Sequence, residues 1–378
     1  MFIKKIKIKN FRIIKNLELD LNKNINIFIG NNAQGKTSIL ESIYLLALTK
    51  SFRNIEDIDL INKDEEFAKI SGVISNDRNE KKLEIILQKN NKTLKIDKID
   101  TKKVSIYISN LNVIMFNPED LDIIKKSPIV RRNLINIELC QLFPNYMKLL
   151  NEYNKLLKMR NEYLRKNYNS INKEYLESLT DKFIDRALVI MDYRNKFINN
   201  INANIDNVYY KIMKEHGLRI EYEKSININE KEKIKQLFSD NFLNEINKKM
   251  TLFGPHRDDI IFYNKEDNLK IYGSQGQQRS AILAFKLSEI SLFKETKGYY
   301  PVVLLDDIFS EIDIEKRTNL LKFIKSNIQF IITTTDINNI SEKILNKSNI
   351  FHVKNGMVER EGKIWKNNNI MMNPIFKY

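Results

Sequence analysis

The chain has 378 residues and a mass of 44.8 kDa, enough for one large α/β domain and a smaller one, with 42% hydrophobic and 29% charged residues as in ordinary globular proteins. Its single cysteine, Cys140, excludes an internal disulfide framework, its three histidines (His216, His256, His352) argue against a zinc site, and no apolar run approaches the roughly 20 residues that span a bilayer. A formal charge of +15 and a pI near 9.4 point to a polyanionic partner, most simply nucleic acid; crowding with Lys, Asn and Ile also follows from genome base composition, so the charge is supporting evidence only.

The N-terminal run Met1-Phe2-Ile3-Lys4-Lys5-Ile6-Lys7-Ile8-Lys9 alternates like a strand and lacks a signal-peptide core, so a cytoplasmic protein is expected. Residues 1–29 read as two strands, residues 3–8 and 24–29, joined through Phe11-Arg12 and Leu17-Glu18-Leu19. Lys on one face of the first strand and Ile on the other predict one wet face. The second strand runs into Gly30-Asn31-Asn32-Ala33-Gln34-Gly35-Lys36-Thr37 and then a helical run over 38–48. This is G-x-x-x-x-G-K-T with a strand before and a helix after, the context a phosphate-binding loop requires. Gly30 and Gly35 permit a tight turn and close approach, and the N–H groups entering the helix form an anion nest at the positive end of its dipole. Lys36 would reach the β- and γ-phosphates of ATP, and Thr37 would ligate Mg²⁺.

Residues 65–110 alternate again and predict three short antiparallel strands with a hairpin turn at Asn90-Asn91-Lys92. Val113-Ile114-Met115-Phe116 predicts an apolar strand ending at Asn117-Pro118-Glu119-Asp120, and Ser127-Pro128 opens a helix through Cys140. Over 145–213 glycine and proline almost vanish and apolar residues fall at three and four spacing. Two helices of about 30 residues each, an antiparallel hairpin with its tip near 167–172, are expected.

Beyond Thr251, Phe253-Gly254-Pro255-His256-Arg257-Asp258-Asp259 predicts a turn feeding a strand, and Tyr272-Gly273-Ser274-Gln275-Gly276-Gln277-Gln278-Arg279 leads to a helix over 281–294. Pro301-Val302-Val303-Leu304-Leu305-Asp306-Asp307 predicts a buried parallel strand ending in two acids, and residues 329–335 predict another. Asp306 would hold Mg²⁺, directly or through water, and Asp307 would polarise the attacking water. Ser274, Gly276 and Gln277 open their helix as a second anion-binding start.

In this context Ser274-Gln275-Gly276-Gln277 resembles the signature motif of ABC-type ATPases, and Ser310-Glu311-Ile312-Asp313 resembles their D-loop. The order of these pieces, from Phe11-Arg12 to Asn355-Gly356, resembles the RecF family of bacterial recombination-mediator ATPases. That resemblance implies an α/β fold: a Rad50-like, P-loop ABC-type ATPase head with a mostly helical lid domain containing a short antiparallel helical hairpin. It divides the chain into an N-terminal lobe (1–118), a lid (119–250) and a C-terminal lobe (251–378). It further implies a homodimer formed with ATP and Mg²⁺, in which the signature of one subunit completes the site of the other. Single-stranded DNA and single/double-strand junctions, the partner proteins RecR and RecO, indirect support of RecA, and no membrane partner complete the expectation. Asp307 stands where many ABC ATPases carry Glu, which implies slow, switch-like hydrolysis. A transporter subunit normally needs a membrane partner, an SMC protein needs far longer arms, and an OLD-type nuclease needs an acidic module after residue 310. No role is assigned to the Lys-rich tail, 363–378.

Overall fold

A computed structural model describes residues 1–53, 55–76, 79–166, 171–311, 316–317, 319–320, 327–337, 340 and 342–361. Ile312 and Asp313 of the D-loop-like stretch, residues 167–170 of the hairpin tip and the tail at 363–378 lie outside the described residues.

Three sheets organise the chain. Strands β1 (Phe2–Phe11), β2 (Ile14–Asp20), β4 (Phe67–Ser75), β5 (Glu80–Gln88), β6 (Asn91–Ile96) and β7 (Ile99–Asp100) form an antiparallel sheet in the order β2-β1-β4-β5-β6-β7. In β1 the isoleucines Ile3, Ile6 and Ile8 are buried while Lys4, Lys7 and Lys9 are exposed, so the wet face predicted from Lys/Ile alternation is present. Two expectations need correction here. Residues 14–20 form a strand of their own rather than a connection, because Ile14, Leu17 and Leu19 are buried behind a tight turn in which Arg12 adopts a positive φ of 55°. The hairpin turn lies at Lys89-Asn90, one residue earlier than expected, since Gln88 already pairs with Asn91.

The second sheet runs β15-β14-β3-β13-β12-β8, with β3 (Ile25–Ile29), β8 (Val113–Phe116), β12 (Val302–Asp306), β13 (Phe330–Thr334) and β14 (Ser348–Lys354) parallel, and β15 (Met357–Arg360) an antiparallel edge. Segments more than 270 residues apart in sequence therefore share one sheet. Its strands β8, β12 and β13 are buried on both faces, and alternate residues enter two different cores. Val302, Leu304, Ile331, Val113 and Met115 pack toward helix α1 (Lys36–Leu48) and the antiparallel sheet. Val303, Leu305, Ile332, Ile114 and Phe116 pack toward the helices on the other side. α1 is buried almost all round, as a helix enclosed between layers must be.

After the short helix α2 (Val104–Ile108), the helical layer consists of α3 (Pro128–Leu142), α4 (Pro144–Lys166), α5 (Lys173–Met213), α6 (Lys231–Asp240), α7 (Phe242–Lys248) and α8 (Gln275–Lys297). A small third sheet, β11-β10-β9, joins β9 (Leu218–Glu223) to β10 (Asp259–Asn264) and β11 (Asp267–Asn268). The antiparallel hairpin α4–α5 is present, but its arms have 23 and 41 residues rather than equal lengths. At 1.5 Å per residue the longer arm spans about 60 Å. With neither Gly nor Pro inside α5 nothing stops it, and its second half passes beyond α4 to pack along α8 and β9. The hairpin is pinned by a buried ion pair, Arg160 of α4 with Glu245 of α7 at 2.5 Å, whose guanidinium also bonds Thr180 and Thr251.

Candidate functional site: a polar cleft and an exposed helix start

The carboxyl ends of β3, β12 and β13 come together because the parallel register pairs Thr334 with Ile29 and Asp306 with Thr333. The loop leaving β3 has the geometry its glycines suggest. Gly35 sits at φ 105°, and a Cβ on Gly30 would lie 2.3 Å from the Val353 carbonyl oxygen, so a side chain there collides with backbone. The Lys36 ammonium curls back to donate to the carbonyl oxygens of Gly30 (2.6 Å) and Asn31 (2.9 Å). Gln34 fastens the loop to the β14–β15 turn: its carbonyl accepts from the Gly356 N–H at 2.9 Å and its side-chain oxygen accepts from the Asn355 N–H at 2.7 Å.

Across the cleft the Thr37 hydroxyl donates to Asp306 Oδ1 at 3.0 Å, and Thr333 donates to the same oxygen at 2.7 Å. Asp307 begins the turn after β12 with φ 47°, its N–H held by Thr333 Oγ1 at 3.0 Å. A cleft of about 200 Å³ is lined by Asn32, Ala33, Lys36, Thr37, Asp306 and Asp307, with Ile13, Gly35, Ser38 and Arg53 completing it. Burial raises the Asp306 carboxyl above its ordinary pKa, opposed by the two threonine hydroxyls. Burial likewise lowers Lys36, opposed by Asp307 and Asp306. These groups are oppositely charged and part-buried together, which is the electrostatic state expected where a polyanion and a cation are to be exchanged for water.

Some contributors carried no motif. Arg53 reaches the cleft through a relay: Arg12 donates to the fully buried Glu41 of α1, Ser51 donates to Glu41 at 2.5 Å, and the Arg53 N–H donates to Ser51 at 3.0 Å. Ile13, in the turn between β1 and β2, leans over Gly35. No local spacing announces either residue; only the fold brings them to the loop.

Ser274, Gly276 and Gln277 stand apart. Ser274 is the N-cap of α8, its Oγ accepting from the Gln277 N–H at 3.2 Å while Gln277 Oε1 accepts from the Ser274 N–H at 2.9 Å. This reciprocal capping box starts the helix at Gln275, earlier than the expected residue 281. Ser274 is exposed, and none of these three residues lines the cleft at Lys36.

The RecF/RecN/SMC N-terminal domain family matches residues 2–359. Curated relatives named DNA replication and repair protein RecF include one from Halalkalibacterium halodurans, 36% identical over 96% of this chain and 100% of the relative, and one from Listeria monocytogenes serotype 4b, 38% identical over 95% and 100%. Among solved structures, the recombination mediator protein RecF with ATP, described as part of the RecFOR pathway, superposes with a TM-score of 0.87 at 30% identity, covering 96% of this chain and 98% of that one. An Smc head bound to the C-terminal winged-helix domain of ScpA shares the fold alone, at TM-score 0.54 and 17% identity. Matched over nearly its whole length, the chain belongs to the RecF/RecN/SMC N-terminal domain family and, within it, to the RecF proteins.

Proposed function

We propose that the chain is an ATP-operated DNA clamp: it binds ATP in the cleft at Lys36, closes as a homodimer on single-stranded DNA gaps and single/double-strand junctions, and supports RecA loading with RecO and RecR. The observation that carries this reading is the separation of the two half-sites. Lys36, Thr37, Asp306 and Asp307 share one cleft, while Ser274, Gly276 and Gln277 are outside it on an exposed helix start. A nucleotide held by the first group therefore offers its γ-phosphate to the second group only on another copy.

The donor set fits Mg²⁺. Thr37 Oγ1 and the Asp306 carboxylate are hard oxygen ligands already within hydrogen-bond distance. Among the described residues no cluster of three or more His, Cys, Asp or Glu side chains is placed to hold a metal. That suits an ion taking one or two protein ligands and completing its shell with phosphate oxygens and water. When bound, the ion would neutralise charge on the phosphates. The chain's own groups do the rest: the loop N–H groups and Lys36 hold the phosphates, Asp307 orients and polarises the attacking water, and its short side chain keeps hydrolysis slow. The division into lobes 1–118 and 251–378 around a lid at 119–250 belongs to the same proposal. No helix among the described residues is long and apolar enough to cross a membrane, and a cytoplasmic location with no membrane partner is part of the reading.

Sedimentation velocity of wild type and Ser274→Arg, with and without ATP and Mg²⁺, tests it. Wild type should be monomeric without nucleotide and dimeric with it, whereas Ser274→Arg should bind ATP yet stay monomeric, because a long cation replaces a capping hydroxyl. DNA affinity should rise with ATP and fall steeply with salt, as phosphate counterions are released. A dimer indifferent to ATP, or DNA binding indifferent to ATP and salt, overturns the clamp.

A further inference from the structure

Every residue from Asn32 to Ser38 lines the cleft except Gln34. Its side chain turns the other way, to the tip of the β14–β15 hairpin. There Asn355 and Gly356 adopt φ 50° and 76°, two left-handed residues in succession between the paired Lys354 and Met357, as a two-residue Asn-Gly hairpin turn requires. The two central N–H groups of such a turn have no partner in the ladder and need acceptors from elsewhere. Gln34 supplies both: its Oε1 accepts from the Asn355 N–H at 2.7 Å, and its main-chain carbonyl accepts from the Gly356 N–H at 2.9 Å.

The turn is itself fixed in place. β14 runs parallel to β3 with His352 paired to Ile29, so its last residues pass beside the loop that leaves β3. Gly356 is buried against the β1–β2 turn, where a Cβ would come 2.4 Å from the Ile13 carbonyl oxygen. The phosphate loop is therefore laid along a rigid template and bonded to it at Gln34. A loop of this kind must hold its N–H groups converged on one point before an anion arrives, in a stretch that also contains the left-handed Ala33 (φ 64°). Ordering such a stretch costs conformational entropy, and when the ordering waits for the ligand, affinity falls by that cost. Lys36 secures only the start of the loop, through the carbonyls of Gly30 and Asn31, and must release them to reach a phosphate. The Gln34 contact faces away from the cleft and persists when the cleft is filled.

The geometry points to the Gln34 side chain as a positioning group and not a nucleotide ligand: it latches the phosphate loop to the Asn355–Gly356 turn and holds the anion nest formed before ATP arrives. The inference rests on ATP binding in this cleft, as proposed above, and assigns the preorganisation of the loop to a side chain that does not touch the nucleotide.

Two substitutions separate latch from ligand by the order of their effects. Gln34→Met removes the acceptor and keeps the length, whereas Gln34→Glu keeps an acceptor and adds a negative charge. With the latch, Gln34→Met should raise the Kd for ATP ~10-fold while kcat at saturating ATP stays within ~2-fold of wild type, and Gln34→Glu should bind ATP within ~3-fold of wild type. Hydrogen exchange of the nucleotide-free proteins should find the Asn355 amide unprotected in Gln34→Met and protected in Gln34→Glu. Both melts should stay within about 2 °C of wild type, since one exposed hydrogen bond is at stake; a much larger drop would make the contact merely structural. If Gln34→Glu binds ATP more weakly than Gln34→Met, the side chain faces the phosphates and the latch is wrong. If both bind ATP like wild type, the loop needs no latch. If wild type binds no ATP, the reading of the cleft fails first and the positioning role fails with it, while the exchange result still reports the contact.

Discussion

The two halves of the proposed nucleotide site are built to opposite standards of completeness. The cleft at Lys36 is finished within one chain: its ammonium is held by the carbonyls of Gly30 and Asn31, the Thr37 and Thr333 hydroxyls donate to Asp306, and its loop is tied to the β14–β15 turn. At the start of α8, Ser274 and Gln277 cap each other at the surface. A half-site that holds a ligand alone must be preorganised in the monomer, whereas one that acts on another copy needs only to be rigid and exposed. Substitutions in the first should therefore fail at nucleotide binding or turnover, and substitutions in the second only at assembly.

The largest expected effect tests the first half. Lys36→Met removes the ammonium held by Gly30 and Asn31 and should weaken ATP binding by roughly 100-fold, as loss of charge-assisted bonds to phosphate predicts. Lys36→Arg keeps charge but replaces a compact ammonium with a planar fork, so turnover should collapse with a smaller change in affinity. Titration calorimetry and phosphate release measure the two; unchanged turnover in both variants would break the assignment.

Asp307→Asn comes next and separates binding from chemistry. The position has φ 47°, in the left-handed region that Asn tolerates well, so the turn survives while the charge is removed. ATP should bind as in wild type, hydrolysis should fall by ~100-fold or more, and the dimer should outlive the wild-type one. Wild-type phosphate release would move the catalytic role elsewhere.

A pair of glycine substitutions sharpens the contrast at smaller cost. Gly30→Ala drives a Cβ to 2.3 Å from a backbone oxygen of β14, so the monomer itself should lose ~2 kcal/mol of stability. Gly276→Ala meets no atom closer than 3.5 Å and lies in the first turn of α8, where alanine favours the helix. Its thermal melt should match or exceed wild type, and any deficit should appear only as weaker ATP-dependent dimerisation. A destabilised Gly276→Ala monomer would mean the start of α8 is structurally occupied after all.

The legible part of this molecule is the part written in consecutive residues. Gly30 to Thr37, the apolar run ending at Asp306 and the turn before α8 each state their geometry locally, through glycine, period and a capping pattern. The arms of the hairpin were legible as helices but not in length, because α5 continues along α8 and β9 for reasons of tertiary packing that spacing alone does not encode. β2 was missed because seven residues of weak alternation look like a connection until β1 supplies a partner. Arg53, Ile13 and Thr333 reach the cleft only after the two six-stranded sheets have assembled, so no window of sequence contained the signal.

The interior of α8 gives a prediction that is visible only as a pH dependence. Behind its exposed start, Lys286 and Glu289 are buried against Glu138 of α3 and near Asp120, so three carboxylates face one ammonium. Burial pushes the Glu138 carboxyl from 4.5 up to about 7, with Asp120 adding to the rise and Lys286 and Gln141 opposing it, and raises Glu289 well above its ordinary value. A carboxyl raised on folding binds its proton more tightly in the folded state, so its stabilising contribution is complete below about pH 4.5 and is lost as pH climbs through 7. His256, lowered to about 4 by burial, slopes the opposite way, its contribution being lost as pH falls. Comparison with Glu138→Gln cancels the histidine, which both proteins share. The variant should gain stability relative to wild type by ~2 kcal/mol as pH rises from about 5 to 8, read as the difference between urea unfolding curves. ATP binding should be unaffected, since the residue lies outside the cleft. A difference that does not vary with pH would show that Glu138 keeps one protonation state throughout, and the middle of α8 would then be as settled as the cleft.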